Sequence, residues 1–485
     1  MEFYNEWMNM EKYWFNSNNE IDEYLKYKYE NLLIDKNPII QIIIYDQLSR
    51  HIYRKEYASH IITYFNQKAL KLANENKHLI PELSYNDWMF FILVYRHSNI
   101  RENLFFAMEE AWKRLPLSKK FIKATYNRAN FEEELVKYEP NDYNKYRTFN
   151  EDILEYNPQE ELLNLRFNIG DFDILKDRNE IIISLSGGVD SNTCLFYIRN
   201  KFPDKIIKAV HINYNNRIET EEEVKFLISL CNKLNIELFV RTIREIKRKP
   251  SIDNDLRDIY ESYTKKVRYN SYKKIGGKSP IIILGHNKDD CFENILTNIS
   301  YKNKFDNLIG MDLISNIDGI EFIRPLYNTS KDDIYKFANY HKIPYLKNST
   351  PEWSQRGKIR NMVLPVLEKW DKRIVDGLFE ISTIMKDLHI NLKMNVMNVM
   401  NDNDNEMDDI NTSVLYWKYL IFEKFNFYPS NKSLKSLIER LTIIKNKLSK
   451  MDINKKEKII IKHNLQMNIW KTKSLRISYE FIINK

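Results

Sequence analysis

Six consecutive residues, Ser186-Gly187-Gly188-Val189-Asp190-Ser191, carry the sharpest chemical signal in the chain. Two adjacent glycines let the backbone approach an anion closely. The successive N–H groups of such a turn, with the N-terminus of the helix that follows, form a nest for phosphate oxygens. The hydroxyls of Ser186 and Ser191 can add donors. No lysine stands where a Walker loop has one, which excludes the kinase type of P-loop. Further along, ILGHNKDDCFENIL at 283–296 places Gly285, His286, Asp289 and Asp290 at the start of another helix. Carboxylates there can hold Mg²⁺ on a phosphate chain. Asn287 and Asp289 also suit helix capping.

These two constellations need a scaffold that brings them to one edge, and the surrounding pattern supplies it. IIISLS, IIKAVHIN, IELFVRTI and PIIILGHN are short β-branched runs of the kind buried on both faces, separated by helical patterns around 190–202, 219–234 and 255–275. Strands alternating with helical crossovers predict a parallel, doubly wound α/β sheet. Ligands of such sheets bind at the carboxyl ends of the strands, where both motifs fall.

Outside this region the texture changes. Residues 1–118 hold no glycine, and their aromatic and aliphatic residues recur at three- and four-residue spacing, which predicts an all-helical array. Residues 119–165 are polar and read as a linker, 166–372 as the α/β domain, and 373–485 as a C-terminal domain. That last domain is helical at first, is interrupted by an Asn/Asp-rich loop at 395–412, and ends in two or three short antiparallel strands. All ten glycines lie between positions 170 and 377, most of them in the motifs. From Thr412 onward 16 Lys and Arg face 5 Asp and Glu, a local charge of +11 in a chain whose total is +8. A basic tail of this kind suits an RNA backbone. RTIREIKRK at 241–249 leads from the third strand toward the active edge and is a stronger candidate to grip RNA near the reaction.

Composition excludes other classes. With 43% hydrophobic and 29% charged residues the chain is neither disordered nor membrane-spanning. Its longest apolar run, Trp88 to Tyr95, falls far short of the about 20 residues a membrane helix needs. No export signal opens the sequence, so the expected location is cytoplasmic. Cys194, Cys231 and Cys291 are widely spaced, form no CxxC, and are expected to be reduced thiols.

The string at 186–191 matches the PP-loop, and the chain resembles the N-type ATP pyrophosphatases (adenine nucleotide alpha hydrolase-like). Within that group HINYNNR at 211–217, VRYNSYKKIG at 267–276, LIGM at 308–311, FIRPL at 322–326 and NSTPEWSQRGKIRNMVLPVL at 348–367 follow the order found in tRNA(Ile)-lysidine synthetase. The resemblance implies a ligase that adenylates the C2 carbonyl oxygen of a tRNA cytidine with ATP, releasing pyrophosphate, and then lets free lysine displace AMP. It implies ATP binding by Ser186, Gly187, Gly188, Val189, Asp190, Ser191 and His286. Asp190, Asp290 and Arg268 would be catalytic, with Asp190 and Asp290 as Mg²⁺ ligands, and Arg324, Arg356, Lys358 and Arg360 would face substrate or tRNA.

Two departures keep alternatives open. Cys291 stands where the family often has Gln, and GHNKDD replaces an HHLDD-like string, a form shared with PP-loop enzymes that thiolate tRNA. Such enzymes use paired cysteines, for which a Cys194/Cys291 pair is the available reading. A non-catalytic RNA-binding scaffold is the third reading. The N-terminal region resembles a TPR-like bacterial domain of unknown function, which implies an accessory module with a protein partner. Its Asp46, Gln47, Arg50, Arg54 and His97 sit among apolar neighbours, either as a binding cluster or as a buried network locking helices together.

Overall fold

The computed structural model describes residues 2–128 apart from 17, 33 and 55–58; 134–140; 154–155; 170–300 apart from 217–218; 310–346; 355–401; and 406–483 apart from 408–410, 412, 448–451, 463–464 and 474–475. The chain forms two compact units, residues 1–289 with 312–349, and residues 290–311 with 350–485.

A seven-stranded sheet organises the first unit. Its strands are β1 (Val136–Tyr138), β2 (Glu180–Ser184), β3 (Ile206–Asn213), β4 (Glu237–Thr242), β5 (Ile281–Ile283), β6 (Ile314–Ile317) and β7 (Ile320–Ile323). Their spatial order is β1-β4-β3-β2-β5-β7-β6. The five inner strands run parallel, and the short edges β1 and β6 are antiparallel. The chain winds outward from β2 through β3 to β4 and then returns to the other side of β2 as β5. The order therefore reverses between β2 and β5, the position at which open α/β sheets bind ligands. All four expected strands are present, and the crossover helices Val189–Lys201, Thr220–Lys233 and Arg257–Gly276 match the helical patterns.

Residues 2–128 are helical in their described parts, from Glu2–Asn9 to Lys119–Arg128, and the last of these helices lies within the stretch read as a linker. Local chemistry sets several starts. Asn37 caps a helix with Pro38 in its first turn, and Ser84 accepts from the Asp87 N–H. The buried residues of these helices, among them Trp7, Trp88, Phe90 and Ile122, form one apolar cluster with Ile182, Val210, Tyr272 and Phe322 of the sheet region. The helices thus cover one face of the sheet. A second cluster, with Leu195, Phe226, Leu227 and Ile334, fills the other.

In the second unit, Val414–Phe425 and Asn431–Lys447 pack with the antiparallel strands Glu457–Lys462, Leu465–Lys471 and Ile477–Ile483. Tyr416 and Trp417 are core residues. The Asn/Asp-rich stretch corrects one expectation: residues 395–401 continue the Ile374–Asn401 helix instead of forming a loop. Val396 is fully buried in this core, and its burial holds the segment helical against a polar composition. Among the described residues no helix is long and apolar enough to cross a membrane.

Candidate nucleotide site

The site is built on the two loops that leave β2 and β5. After β2 the Leu185 N–H donates to the Val210 carbonyl at 2.8 Å, and the ring of buried His211 lies 2.8 Å from the Leu185 carbonyl. Gly187 follows at φ +83°, where an L side chain is strained. A Cβ there would stand 2.4 Å from Leu346 Cδ1. The loop is clamped from the same side, since Leu346 N donates to the Gly187 carbonyl at 2.9 Å and buried Asn192 bridges the Gly187 and Pro344 carbonyls at 3.1 and 2.9 Å.

Gly188 then caps the Val189–Lys201 helix with no side-chain bond of its own, so the helix start is presented as bare backbone. Such an N-terminus binds phosphate oxygens through N–H groups and the helix dipole. Ser186 is exposed, and its hydroxyl lies 3.0 Å from that of Ser191, which also donates to the Gly188 carbonyl at 3.0 Å. Ser191 therefore braces the turn, while Ser186 faces outward. The Val189 side chain sits in the core, leaving only its backbone for a ligand.

Gly285, after β5, explains why the two loops meet. A Cβ on it would lie 2.9 Å from Ser191 N and 3.0 Å from the Asp190 carbonyl carbon, so only glycine lets the β5 loop touch the first turn of the helix. Next to it, fully buried Asn287 donates to Asp190 Oδ1 at 2.9 Å. The other oxygen, Oδ2, receives Lys331 Nζ at 2.5 Å, with both side chains largely shielded. Lys331 was not among the residues expected from the sequence. It opens the Lys331–Tyr340 helix, which Ser330 caps by accepting from the Asp333 N–H. A lysine in a first turn opposes the helix dipole, and that misfit was its one legible signal.

The remaining expected residues divide by environment. Arg324 is buried, and its guanidinium donates to the Asp312 carbonyl at 2.7 Å, to Ser315 Oγ at 3.0 Å and to His286 Nδ1 at 3.3 Å. It holds His286 in place and does not face solvent. Arg268 lies on the Arg257–Gly276 helix among Tyr214, Tyr269 and Tyr272, and the Tyr272 hydroxyl reaches Ser184 Oγ, at the end of β2, at 2.8 Å. Of the basic stretch 241–249, Arg241 is buried and paired with Glu245, whereas Arg244, Lys247 and Lys249 are exposed.

In the second unit Asp290 stands in the first turn of the Lys288–Ser300 helix, 3.6 Å from Arg360 Nη2. Arg360 grips Glu293 more tightly, with Nε at 2.8 Å and Nη2 at 2.7 Å from the same oxygen. Glu293 is 1% exposed, its other oxygen Oε2 is buried without a hydrogen bond, and burial pushes its carboxyl above the usual range against the pull of Arg360. Its position three residues after Asp290, on the same helix face, was readable, but the pattern FENIL showed only a helix. Arg356 and Lys358 are exposed. All three cysteines are buried and outside any disulfide, and burial lifts the thiols of Cys194 and Cys231 far above the usual range. Among the described residues no group of three or more His, Cys, Asp or Glu is placed to hold a metal.

Comparison with known proteins agrees with this geometry. Residues 156–367 match the profile of a PP-loop, ATP-binding domain family. A tRNA(Ile)-lysidine synthase of Staphylococcus aureus (strain MRSA252) is 26% identical over 212 residues, 42% of this chain and 47% of that protein. The protein of that name from Mycoplasma mycoides subsp. mycoides SC is 26% identical over 298 residues, 58% of this chain and 71% of that one. The chain thus spans about half the length of the Staphylococcus relative. A solved U34-tRNA thiolase from Methanococcus maripaludis with its [4Fe-4S] cluster superimposes with a TM-score of 0.38 at 16% identity, over 45% of this chain and 76% of that one, a likeness too loose to argue from. The chain contains a PP-loop domain, and over that domain it is similar to the tRNA(Ile)-lysidine synthases.

Proposed function

We propose that the chain is an ATP-dependent tRNA-modifying ligase of the lysidine synthase type, acting in the cytoplasm. The observation that carries this reading is the meeting of the β2 and β5 loops through Gly285, which sets a bare helix N-terminus beside Asp190 at the sheet's switch point. A cytidine carbonyl carbon is a poor electrophile. Attack of its C2 oxygen on the α-phosphorus of ATP expels pyrophosphate and creates an AMP leaving group. The amine of free lysine then bonds to C2, loses a proton, and AMP departs.

In this reading the 186–188 backbone and Ser186 hold the pyrophosphate. Asp190 is fixed by Asn287 and Lys331, and His286 is oriented by Arg324. Arg268 offers a cation to phosphates and to charge developing on the nucleotide, and the exposed Arg356 and Lys358 offer cations to tRNA. Mg²⁺, if bound, would neutralise the departing pyrophosphate, and Asp190 is the carboxylate nearest the turn that could hold it. Burial of all three thiols favours this reading over sulfur transfer, which needs an accessible thiolate.

The test is incubation with tRNA, lysine and [α-³²P]ATP, followed by mass analysis of the nucleosides. AMP release that requires both tRNA and lysine, with a lysine-sized mass gain on cytidine, is expected. AMP release independent of either, or a sulfur-sized gain, overturns it.

A further inference from the structure

The N-terminal helices have no place in the chemistry above, yet their last member is joined to the active half of the sheet. The Lys119–Arg128 helix, KKFIKATYNR, buries Phe121, Ile122, Thr125 and Tyr126 and exposes Lys120, Lys123, Asn127 and Arg128, with no acidic residue in its length. Its Tyr126 hydroxyl donates to the Glu245 carbonyl at 2.5 Å, and its ring packs on Tyr263 with centroids 5.0 Å apart. Glu245 is the pin of the loop after β4. Its buried carboxylate accepts from Arg241, from the Arg244 N–H at 2.7 Å and from the Tyr263 hydroxyl at 3.3 Å. Lys119 adds an ion pair with Asp255 at 3.1 Å. The helix and the loop are thereby set side by side at the carboxyl edge, where the loop exposes Arg244 and Lys247 and the Arg248–Asp253 helix that follows exposes Lys249.

Behind this helix the charge is also one-sided. Arg96 packs its guanidinium over the Phe121 ring at 5.5 Å, and burial, then Arg128 and Arg50, push it down to about 10, with Asp46 the one carboxylate acting in its favour.

We infer that the exposed face of the Lys119–Arg128 helix and the segment Arg244–Lys249 form one surface for RNA phosphates, and that the N-terminal helical layer serves to build it. The inference rests on tRNA being the substrate. It assigns RNA binding to the first unit, independently of the basic C-terminal tail.

The test is fluorescence anisotropy of labelled tRNA with the full chain across a salt series. Variants are Lys120→Ala/Lys123→Ala/Arg128→Ala and Arg244→Ala/Lys247→Ala/Lys249→Ala. Each phosphate contact contributes about 0.7–0.9 to the slope of log affinity against log salt, so each triple variant should lower that slope by about 2–3 and weaken binding at least roughly 10-fold near physiological salt. Equilibrium dialysis of ATP and the thermal melt should match wild type, which separates a lost surface from a lost fold. Tyr126→Phe, which only unties the two elements, should weaken tRNA binding without changing the slope. Wild-type affinity and slope in both triple variants overturn the inference while leaving the ligase reading intact. Failure of the wild-type chain to bind tRNA overturns both. Loss of binding to poly-glutamate with tRNA binding unchanged would make this an acidic-peptide surface and overturn it as well.

Discussion

Asp190 and Asp290 each open a helix that follows a central strand, and they are held in opposite ways. Asp190 has one cation for its one charge: Lys331 on Oδ2, with Asn287 on Oδ1. The pair is neutral, shielded and fixed from two distant points of the chain. Around Asp290 the guanidinium of Arg360 is divided between two carboxylates: it spends its closest bonds on Glu293, which Arg356 also attracts, and approaches Asp290 at 3.6 Å. Glu293 keeps a buried oxygen without a hydrogen bond. A balanced pair resists rearrangement, because removing either partner strands a partly buried charge. The first arrangement fixes one carboxylate from two sides, and the second ties two carboxylates to one arginine at unequal distances.

The largest effects should come from the balanced side. Asp190→Asn keeps the shape but removes the charge, and the rate of adenylation should fall on the order of 10³-fold with tRNA binding nearly unchanged and a lower melting temperature, because Lys331 loses its partner. If Lys331 acts through Asp190, Lys331→Met should cost a comparable factor, and the double variant should be no worse than the worse single one. Additive losses in that cycle would separate the two residues and break the pair. Gly285→Ala should come next. Its Cβ would push on Ser191 N and the Asp190 carbonyl carbon from 2.9 and 3.0 Å, and a shift of the helix start by even a fraction of an ångström should cost about 10²-fold in kcat/KM, read alongside weakened ATP binding.

A smaller effect is expected at Asp290's neighbour. Glu293→Gln retains an oxygen for Arg360 but removes one of the two negative charges, so kcat should fall about 10-fold with KM for ATP less affected. The pH profile sharpens the point. Burial holds the Glu293 carboxyl above its ordinary 4.5, so in the folded protein the Glu293–Arg360 ion pair forms only as pH rises past that value. The acid limb of wild-type kcat should therefore lie above the ordinary carboxylate range. In Glu293→Gln it should shift to lower pH, and an unmoved limb would remove Glu293 from the comparison.

How much of this was legible depends on the range over which the cause acts. The inner strands were readable because IIIS, IIKAVHIN, ELFVRT and III are buried on both faces and so lack the alternation of a half-exposed strand. The turn at 186–188 and its contact with the β5 loop were readable because Gly187 needs a positive φ and Gly285 needs to lack a Cβ, both properties of single residues. What escaped was set by partners far along the chain. Lys331 lies 141 residues from Asp190 and looks like surface charge until the Ser330-capped helix aims it. Arg324 and Arg241 look like RNA contacts, yet one is used up by Asp312, Ser315 and His286 and the other by Glu245. Residue type showed the charge of these side chains, and only the fold showed where that charge was spent.

A third carboxylate extends the comparison to the helical layer. Asp46 is fully buried within the five-residue π-helical segment Ile44–Leu48, bonded by Gln47, by His97 Nδ1 at 2.9 Å and by Arg50 at 3.4 Å. Burial, and then the nearby Arg50 and Arg96, hold His97 below its ordinary 6.5, so it stays neutral and donates to Asp46. A histidine depressed in the folded state binds fewer protons there than in the unfolded chain once pH drops below 6.5. Stability should accordingly fall as pH goes from 7 toward 5, by about 1.4 kcal/mol per unit of depression. His97→Gln should lose about 1–3 kcal/mol at pH 8 and flatten that pH dependence, measured by denaturant midpoints. A slope identical to wild type would mean that another group titrates.

The smallest effect is expected at the thiols, and it bears most directly on the choice between ligation and sulfur transfer. Cys194 lies one helical turn beyond Asp190, close enough for the carboxylate, after burial, to raise the thiol further, which disfavours the thiolate. A sulfur carrier needs the reverse, a lowered pKa and access. Replacing Cys194, Cys231 and Cys291 together with alanine removes small apolar side chains from the core and should cost about 1–3 kcal/mol of stability, visible as a lower melting temperature. Below that temperature the rate of AMP release with tRNA and lysine should stay within about two-fold of wild type. Loss of modification in a folded triple variant would place a cysteine in the chemistry, and the Asp190 side would then have to be reread as one that holds a thiol unreactive until substrate arrives.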